Sequence, residues 1–237
     1  MARTIPPDRF QDLIEAATQV FLEQGYQRTQ VADVAARMGV SKGSIYSYVE
    51  SKEALFDCVL RHADNSRAVE LPKALPVPAP RPGATLLAVR RRLESEGSLP
   101  LLTGALAKKR VGDVAGELQG ILAELYDALA RHRTAIKLLD RCAPDYPELA
   151  KLWFGGSREG TLALLARYLE DCMRRGHLRA EGEPAVIARI ALETLVFWAV
   201  HRHWDPSPQA LDEENSRRTV LAFLGAALAR GDLDGQV

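Results

Sequence analysis

A short apolar repeat that ends at a single glycine, with a second and more polar segment after it, stands near the N-terminus of this chain. Before the glycine, apolar residues recur at helical spacing at Val31, Val34, Ala35 and Met38. This i, i+3, i+4, i+7 pattern predicts a short helix with one buried face, which Gly39 ends. Thr29 is expected to cap that helix, and Ser41 to cap a second one. Two short helices joined by a tight glycine-containing turn form a helix-turn-helix.

The predicted second helix carries a surface of hydrogen-bond donors. They are Lys42, Ser44, Tyr46, Ser47 and Tyr48. This surface is too polar to be only a core face, and such a helix can enter the major groove of DNA with its N-terminal residues at base edges. Packing against the first helix of the chain, residues 10–25, is the alternative for Tyr46, although one tyrosine can do both. The pattern therefore predicts a DNA-reading helix.

The stretch resembles the N-terminal DNA-binding domain of the TetR family of transcriptional regulators, over roughly residues 10–59. The residues that match the family pattern are Gly25, Tyr26, Thr29, Val31, Ala35, Gly39, Val40, Ser41, Lys42, Gly43, Tyr46, Tyr48, Lys52, Glu53 and Leu55. The departures are mild. They are Gln30 for a second Thr, Ser44 for Thr, Ile45 for Leu and Val49 for Phe.

This resemblance implies a set of DNA contacts. Base-edge contacts are expected from Lys42, Gly43 and Tyr46, and contacts to bases or backbone from Ser47 and Tyr48. Phosphate contacts are expected from Thr29, Gln30, Ser41, Ser44 and Lys52. The amide of Gln30 can still donate where the family pattern has a threonine.

Helical periods without any strand pattern predict an all-α chain. A first helix is expected from Phe10 to Gly25, and Ser51 is expected to cap a fourth. As the resemblance implies, an N-terminal three-helix helix-turn-helix DNA-binding domain at residues 1–55 joins a larger C-terminal domain. That helical domain, residues 56–237, would serve ligand binding and dimerisation.

A proline-rich stretch at about residues 71–83 interrupts the helical pattern. Its prolines are Pro72, Pro76, Pro78, Pro80 and Pro82, a density that excludes a helix. We expect a stiff extended linker. A proline-rich ligand for another protein is the alternative.

Helical periods return in the larger domain. The spacing predicts helices at residues 84–96, 100–109, 114–139, 149–154 and 161–175. The helix at 149–154 is expected to end at Gly155 and Gly156.

The last two predicted helices, residues 185–200 and a final one capped by Asp212, are apolar on more than one face. Such a helix must be covered on both sides. The resemblance implies that the two pair with their copies in a homodimer, through Ile190, Phe197, Val220, Leu221, Leu224 and Leu228. A helix threaded through a monomeric bundle is the alternative.

Charge and cysteine content restrict the class of protein. The formal net charge is +0, and residues 1–60 hold 6 Lys or Arg against 8 Asp or Glu, so that segment sums to −2. DNA affinity must therefore come from the placement of cations, and a helix-turn-helix that binds protein stays open as an alternative. Three scattered cysteines without a C-x-x-C motif predict unpaired thiols in a reducing compartment. With no signal peptide and no long apolar run, we expect a cytoplasmic protein with no membrane contact.

Catalytic and metal-binding patterns are weak. His201, His203 and Asp205 lack the spacing of a metalloprotease motif, and the GGSREG run at 155–160 lacks the Lys-Ser/Thr of a phosphate loop. No acid, base or nucleophile constellation is recognisable, so an enzyme is the least favoured alternative and we expect no cofactor and no metal. The prediction is a ligand-responsive repressor that binds a palindromic operator as a dimer. An unidentified small-molecule effector would release it.

Overall fold

The computed structural model describes residues 7–64, 69–108, 112–178, 182–207 and 209–229. Twelve α-helices are assigned in these ranges: α1 Pro7–Arg28, α2 Val31–Met38, α3 Lys42–Tyr46, α4 Lys52–His62, α5 Ala84–Glu96, α6 Pro100–Ala107, α7 Val114–Arg131, α8 Arg133–Cys142, α9 Pro147–Leu152, α10 Glu159–Arg174, α11 Pro184–Ala199 and α12 Glu213–Leu228. Within the described ranges there is no β-strand, only two isolated bridges. The all-α prediction is confirmed.

The chain forms two compact units. Unit 1 combines Met1–Glu96 with Thr134–Phe154, and unit 2 combines Gly97–Arg133 with Gly155–Val237. A compact unit need not coincide with a functional domain. The boundary at residue 55, predicted as the end of the DNA-binding domain, therefore stays a prediction. No described helix is both long enough and apolar enough to cross a membrane.

Unit 1 is built around α1, which packs against α2 and α4. Phe10, Leu13 and Phe21 from α1 and Leu55 and Phe56 from α4 are almost wholly buried. The Phe21 and Phe56 ring centroids lie 4.9 Å apart in a tilted arrangement that aromatic pairs favour. Each such side chain contributes about 1.5–3 kcal/mol when buried, so α1 and α4 form the core on which α2 packs, and α3 packs in turn on α2.

A backbone break at Gly25 interrupts α1 one turn before its end. Gly25 adopts φ 80° and ψ 178°. Residues from the end of α8 and beyond close over this break: Arg141 Nη2 donates to Glu23 O at 3.0 Å, and Gln27 N donates to Asp145 Oδ2 at 3.0 Å. The sequence predicts that the helix ends at Gly25; the structure shows a kink followed by one further turn.

The proline-rich stretch is bonded to residues 1–60, the N-terminal part of unit 1, which we call the head. We call residues 69–83 the strap. Val77 N donates to Tyr48 O at 2.7 Å, and Glu50 N donates back to Val77 O at 2.9 Å. Ala79 N adds a bond to the Glu50 carboxylate at 3.1 Å. Its composition predicts only a spacer between domains, but the strap is attached to the turn that follows α3.

In unit 2, α11 lies against α7, α10 and α12. Ile121, Leu122, Leu165 and Leu195 are almost wholly buried in this core. Asp212 Oδ2 accepts from Asn215 N at 2.7 Å, which confirms Asp212 as the cap of α12.

Two helix boundaries predicted from sequence are wrong. The single helix at 114–139 is divided at His132, whose φ of −112° and ψ of 25° leave the helical region, into α7 and α8. Gly155 and Gly156 do not end a helix, because residues Trp153–Arg158 continue as a π-helical turn into α10. In both cases the apolar residues keep their helical spacing on either side of a local change in backbone geometry, so the spacing does not reveal the change.

Candidate nucleic-acid interface

The turn between α2 and α3 is set by Gly39. Its φ of 66° is left-handed, a conformation that glycine adopts without the steric cost of a Cβ. Gly39 N donates to Ala36 O at 3.1 Å and Val40 N to Ala35 O at 3.0 Å, which closes α2. Ser41 Oγ then accepts from Ser44 N at 3.2 Å and caps α3, as predicted. The predicted helix-turn-helix is confirmed.

Helix α3 presents its polar side to solvent. Ile45 is fully buried and anchors the helix. Lys42, Gly43, Tyr46 and Ser47 are exposed on the other side, and the Lys42 Nζ lies 5.9 Å from the centroid of the Tyr46 ring. The structure thus brings together the residues for which base contacts are expected.

The neighbouring hydroxyls have local partners. Ser41 Oγ and Ser44 Oγ are 2.9 Å apart, and Ser47 Oγ donates to Ser44 O at 2.6 Å. Tyr48 is half-buried, with its ring centroid 6.4 Å from that of Phe10. Its ring packs against α1, and its exposed part lies at the end of α3.

Thr29 does not take the place predicted for it. Its side chain is only 1% exposed, and its hydroxyl donates to Gly25 O at 2.6 Å. It therefore neither caps α2 nor offers a free donor to a phosphate. Gln30 occupies the capping position instead, where its backbone N–H donates to Asp33 Oδ2 at 2.9 Å, and its exposed side chain remains a candidate contact.

Lys52 has two carbonyl partners at the end of α1. Its Nζ donates to Tyr26 O at 3.1 Å and Gln27 O at 3.3 Å, and lies 4.7 Å from the Tyr26 ring centroid. Burial raises the pKa of Tyr26 to about 12, and the nearby Glu53 carboxylate adds to the shift, so the phenol stays neutral. One of the three ammonium hydrogens is left for a phosphate.

These contacts predict a structural role for Lys52. We expect Lys52→Ala to lower the free energy of unfolding by about 1–2 kcal/mol, because the variant removes charged hydrogen bonds and a cation–π interaction. Urea denaturation measures this, with the exposed Lys42→Ala as control, expected within about 0.5 kcal/mol of wild type. Unchanged stability combined with weaker DNA binding would instead assign Lys52 to phosphate alone.

The six residues predicted for a dimer interface divide into two groups. Ile190 and Phe197 on α11 are 60% and 43% exposed, and Leu228 is half-buried. Val220, Leu221 and Leu224 lie inside unit 2 and are almost wholly buried. Phe223 on α12 is 68% exposed but was not among the predicted residues. When a helix is apolar on several faces, its sequence does not show which face packs against its own unit and which stays exposed.

His203, one of the two histidines considered as metal ligands, belongs to an ion-pair network in unit 2. His203 Nε2 lies 3.5 Å from Glu213 Oε2, and Arg133 and Arg202 also bond to the Glu213 carboxylate. Burial and the two arginines hold the pKa of His203 below its ordinary value. In the described part of the chain, no group of three or more His, Cys, Asp or Glu could hold a metal ion.

The three cysteines are free and buried, as predicted. Burial raises the pKa of the Cys58 thiol to about 11 and that of Cys142 to about 12. Thiols held in the protonated form are poor nucleophiles. The cysteines therefore act as core residues.

Comparison with known proteins places the similarity in the head. The family model described as bacterial regulatory proteins, tetR family, matches residues 13–59. The HTH-type transcriptional repressor DhaR of Mycobacterium sp. (strain GP1) is 52% identical over 61 residues, which are 26% of this chain and 29% of DhaR. The repressor KstR2 of Rhodococcus jostii (strain RHA1) is 38% identical over 50 residues, 21% of this chain and 24% of KstR2. The aligned segment thus spans under a third of either relative.

Solved structures extend the likeness of fold to the whole chain. The ketosteroid transcriptional regulator KstR2 of Mycobacterium tuberculosis aligns with a TM-score of 0.54 over 96% of this chain and 98% of its own, at 18% identity. A tetR-family regulatory protein from Rhodococcus RHA1 aligns with a TM-score of 0.50 over 93% and 97%, at 17% identity. At such identities the likeness shows the fold alone.

Proposed function

Because this chain belongs to the TetR family of bacterial transcriptional regulators, we propose that it is a ligand-responsive repressor that binds a palindromic operator as a homodimer. Its heads insert α3 into successive major grooves of double-stranded DNA in the cytoplasm. A small-molecule effector bound in the helical body releases it.

The exposed polar side of α3 is the observation that carries the proposal. A five-residue helix is anchored by one buried isoleucine while Lys42, Tyr46 and Ser47 face solvent. Lysine donates to guanine acceptors in the major groove, and tyrosine and serine hydroxyls donate or accept. A helix with only a structural role would have no need of so many exposed donors in one turn and a half.

A gel-shift assay tests the proposal. We expect a sequence-specific shift with DNA flanking the gene for this protein, weakening steeply with salt, since phosphate contacts release counterions. Excess unrelated duplex serves as competitor. Absence of any shift with flanking DNA and with genomic fragments would remove the proposed function.

Base reading by α3 gives a second prediction. We expect Lys42→Ala and Tyr46→Phe each to reduce discrimination between operator and unrelated DNA by about 1–3 kcal/mol, more than they reduce non-specific affinity. Titration of both duplexes at one salt concentration measures the ratio. Uniform weakening on all sequences would mark these residues as positioning contacts.

An effector site is most simply placed at a buried polar pair in unit 2. Tyr168 on α10 is almost wholly buried, and burial raises its pKa, with Cys172 and Glu117 adding to the shift. The Tyr168 hydroxyl and Glu117 Oε1 fall outside strict hydrogen-bonding geometry with any described residue, yet Glu117 is near enough to the hydroxyl to raise its pKa. Buried polar atoms normally have partners, and a ligand with one polar group between these two would satisfy both. The names of the relatives do not help to identify the ligand, because their sequence similarity to this chain is confined to the head.

A helix-turn-helix that binds protein is the second candidate, and the −2 charge of residues 1–60 is the observation that favours it. Salt separates the two. A complex with DNA weakens with a slope proportional to the phosphate contacts. The absence of any DNA complex even at low salt would support the alternative.

A further inference from the structure

The strap is fixed beside the DNA-reading helix. Val77 pairs in parallel with the buried Val49, and the two main-chain bonds of Val77 reach both neighbours of Val49. Pro76 and Pro78 have no N–H, so Val77 supplies the donor between them. The strap is therefore bonded, through Val77 and Ala79, to the turn that follows α3.

Three of the five cations described in residues 1–60 are engaged within that segment. Arg37 pairs with Glu23 at 2.5 Å, and Arg28 Nε donates to Gln24 O at 3.1 Å. Lys52 donates to two carbonyls of α1. With residues 1–60 at −2, a DNA-binding surface needs additional positive charge from elsewhere.

The strap supplies that charge. Residues 69–83 hold Lys73 and Arg81 against one acid, Glu70, a net charge of +1. Both cations are exposed, and neither forms an ion pair with any residue in the described ranges. Their charges are thus available to an external anion.

Their distance from α3 suits the edge of the groove. Lys73 and Arg81 are each four residues from Val77, and a chain spans at most about 3.3–3.6 Å per residue, so each lies within roughly 14 Å of the turn. The major groove is about 12 Å wide and is bordered by phosphates on both sides. A lysine or arginine whose Cα lies within roughly 14 Å of a helix in the groove can reach a phosphate that borders the groove.

We propose that the strap is a second DNA-binding element, in which Lys73 and Arg81 contact phosphates bordering the groove that α3 enters. This rests on the proposed DNA binding and adds a partner surface to it. Phosphate contacts carry no base information, so the strap fixes the register of α3 and strengthens binding to every sequence alike.

The test is the salt dependence of DNA binding by the full chain carrying Lys73→Gln and Arg81→Gln. We expect the slope of log K against log salt to fall by roughly one unit per subunit for each phosphate that a removed cation would have neutralised, with equal loss of affinity for operator and unrelated duplex. The single variants Lys73→Gln and Arg81→Gln are measured beside the double variant, and Lys151→Gln is the matched control for each single variant. It removes one exposed cation from α9, which packs against α5 and the Ala143–Asp145 turn.

Each outcome decides the matter. An unchanged slope in the double variant, or an equal fall in the control, overturns the strap assignment. Weakening confined to the operator overturns the phosphate role. If the wild-type protein binds no DNA, the proposed function itself is refuted. If the wild-type protein binds DNA and the variants show the same salt slope, only the strap assignment is refuted. Circular dichroism melting confirms that the variants fold.

Discussion

The double variant Ile190→Glu, Phe223→Glu is expected to be a folded monomer that binds operator about 10²–10⁴-fold more weakly than wild type. Both side chains are apolar and more than half exposed in unit 2. In a two-fold interface a residue near the axis meets its own copy, so a glutamate there places like charges together. The affinity falls because two linked heads gain that factor from effective concentration.

Light scattering and gel shift on the same samples measure both effects. Leu101→Glu is the matched control, since Leu101 is 53% exposed on α6, and it should leave assembly and binding unchanged. Leu224→Glu gives a contrast: it buries a charge in the core of unit 2, so we expect unfolding instead of a clean monomer. A double variant that remains dimeric would refute this interface.

Replacing Gly25 is expected to destabilise the fold strongly through the backbone itself. Its φ of 80° and ψ of 178° lie in a region that is essentially restricted to glycine, and another residue there costs about 1–3 kcal/mol. A Cβ would also stand 2.9 Å from Asp145 Oδ2 and 3.2 Å from Arg141 O. We therefore expect Gly25→Ala to lower the free energy of unfolding by at least that amount.

Denaturant unfolding of the full chain measures this loss. Gly104→Ala is the control, because a Cβ there meets nothing within 4 Å and alanine favours a helix. A second comparison adds Gly25→Ala to an Asp145→Ala background, which lacks both the side-chain clash and the Gln27 bond; the loss caused by Gly25→Ala there should be only partly smaller. Absence of any loss in that background would show that the clash, and not the backbone, requires glycine.

Local signals in the sequence are sufficient for part of this structure. Ser41, Ser51 and Asp212 each cap the helix that begins one residue later, and the cap depends only on a backbone N–H three residues away. Gly39 is equally local, since its conformation closes α2. The family pattern adds the identity of the polar residues on α3.

Features that depend on distant partners could not be predicted. Lys52 bonds to carbonyls 25 and 26 residues earlier, and Val77 pairs with Val49, so neither spacing nor composition identifies them. Thr29 matches the family pattern, yet its hydroxyl turns inward to Gly25 O. For Phe223 the missing information was which side of α12 its own unit already covers.

The contacts that close over Gly25 also set an order for synthesis. Gln27 bonds to Asp145 and Glu23 to Arg141, each pair 118 residues apart in sequence. At about 5–20 residues per second, a ribosome needs roughly 6–24 seconds to supply the second member after the first. Residues 97–133, which belong to unit 2, emerge in between. The DNA-binding end of this chain is therefore made first but completed late, and a nascent chain that stops before Asp145 carries α1 without the residues that close its break.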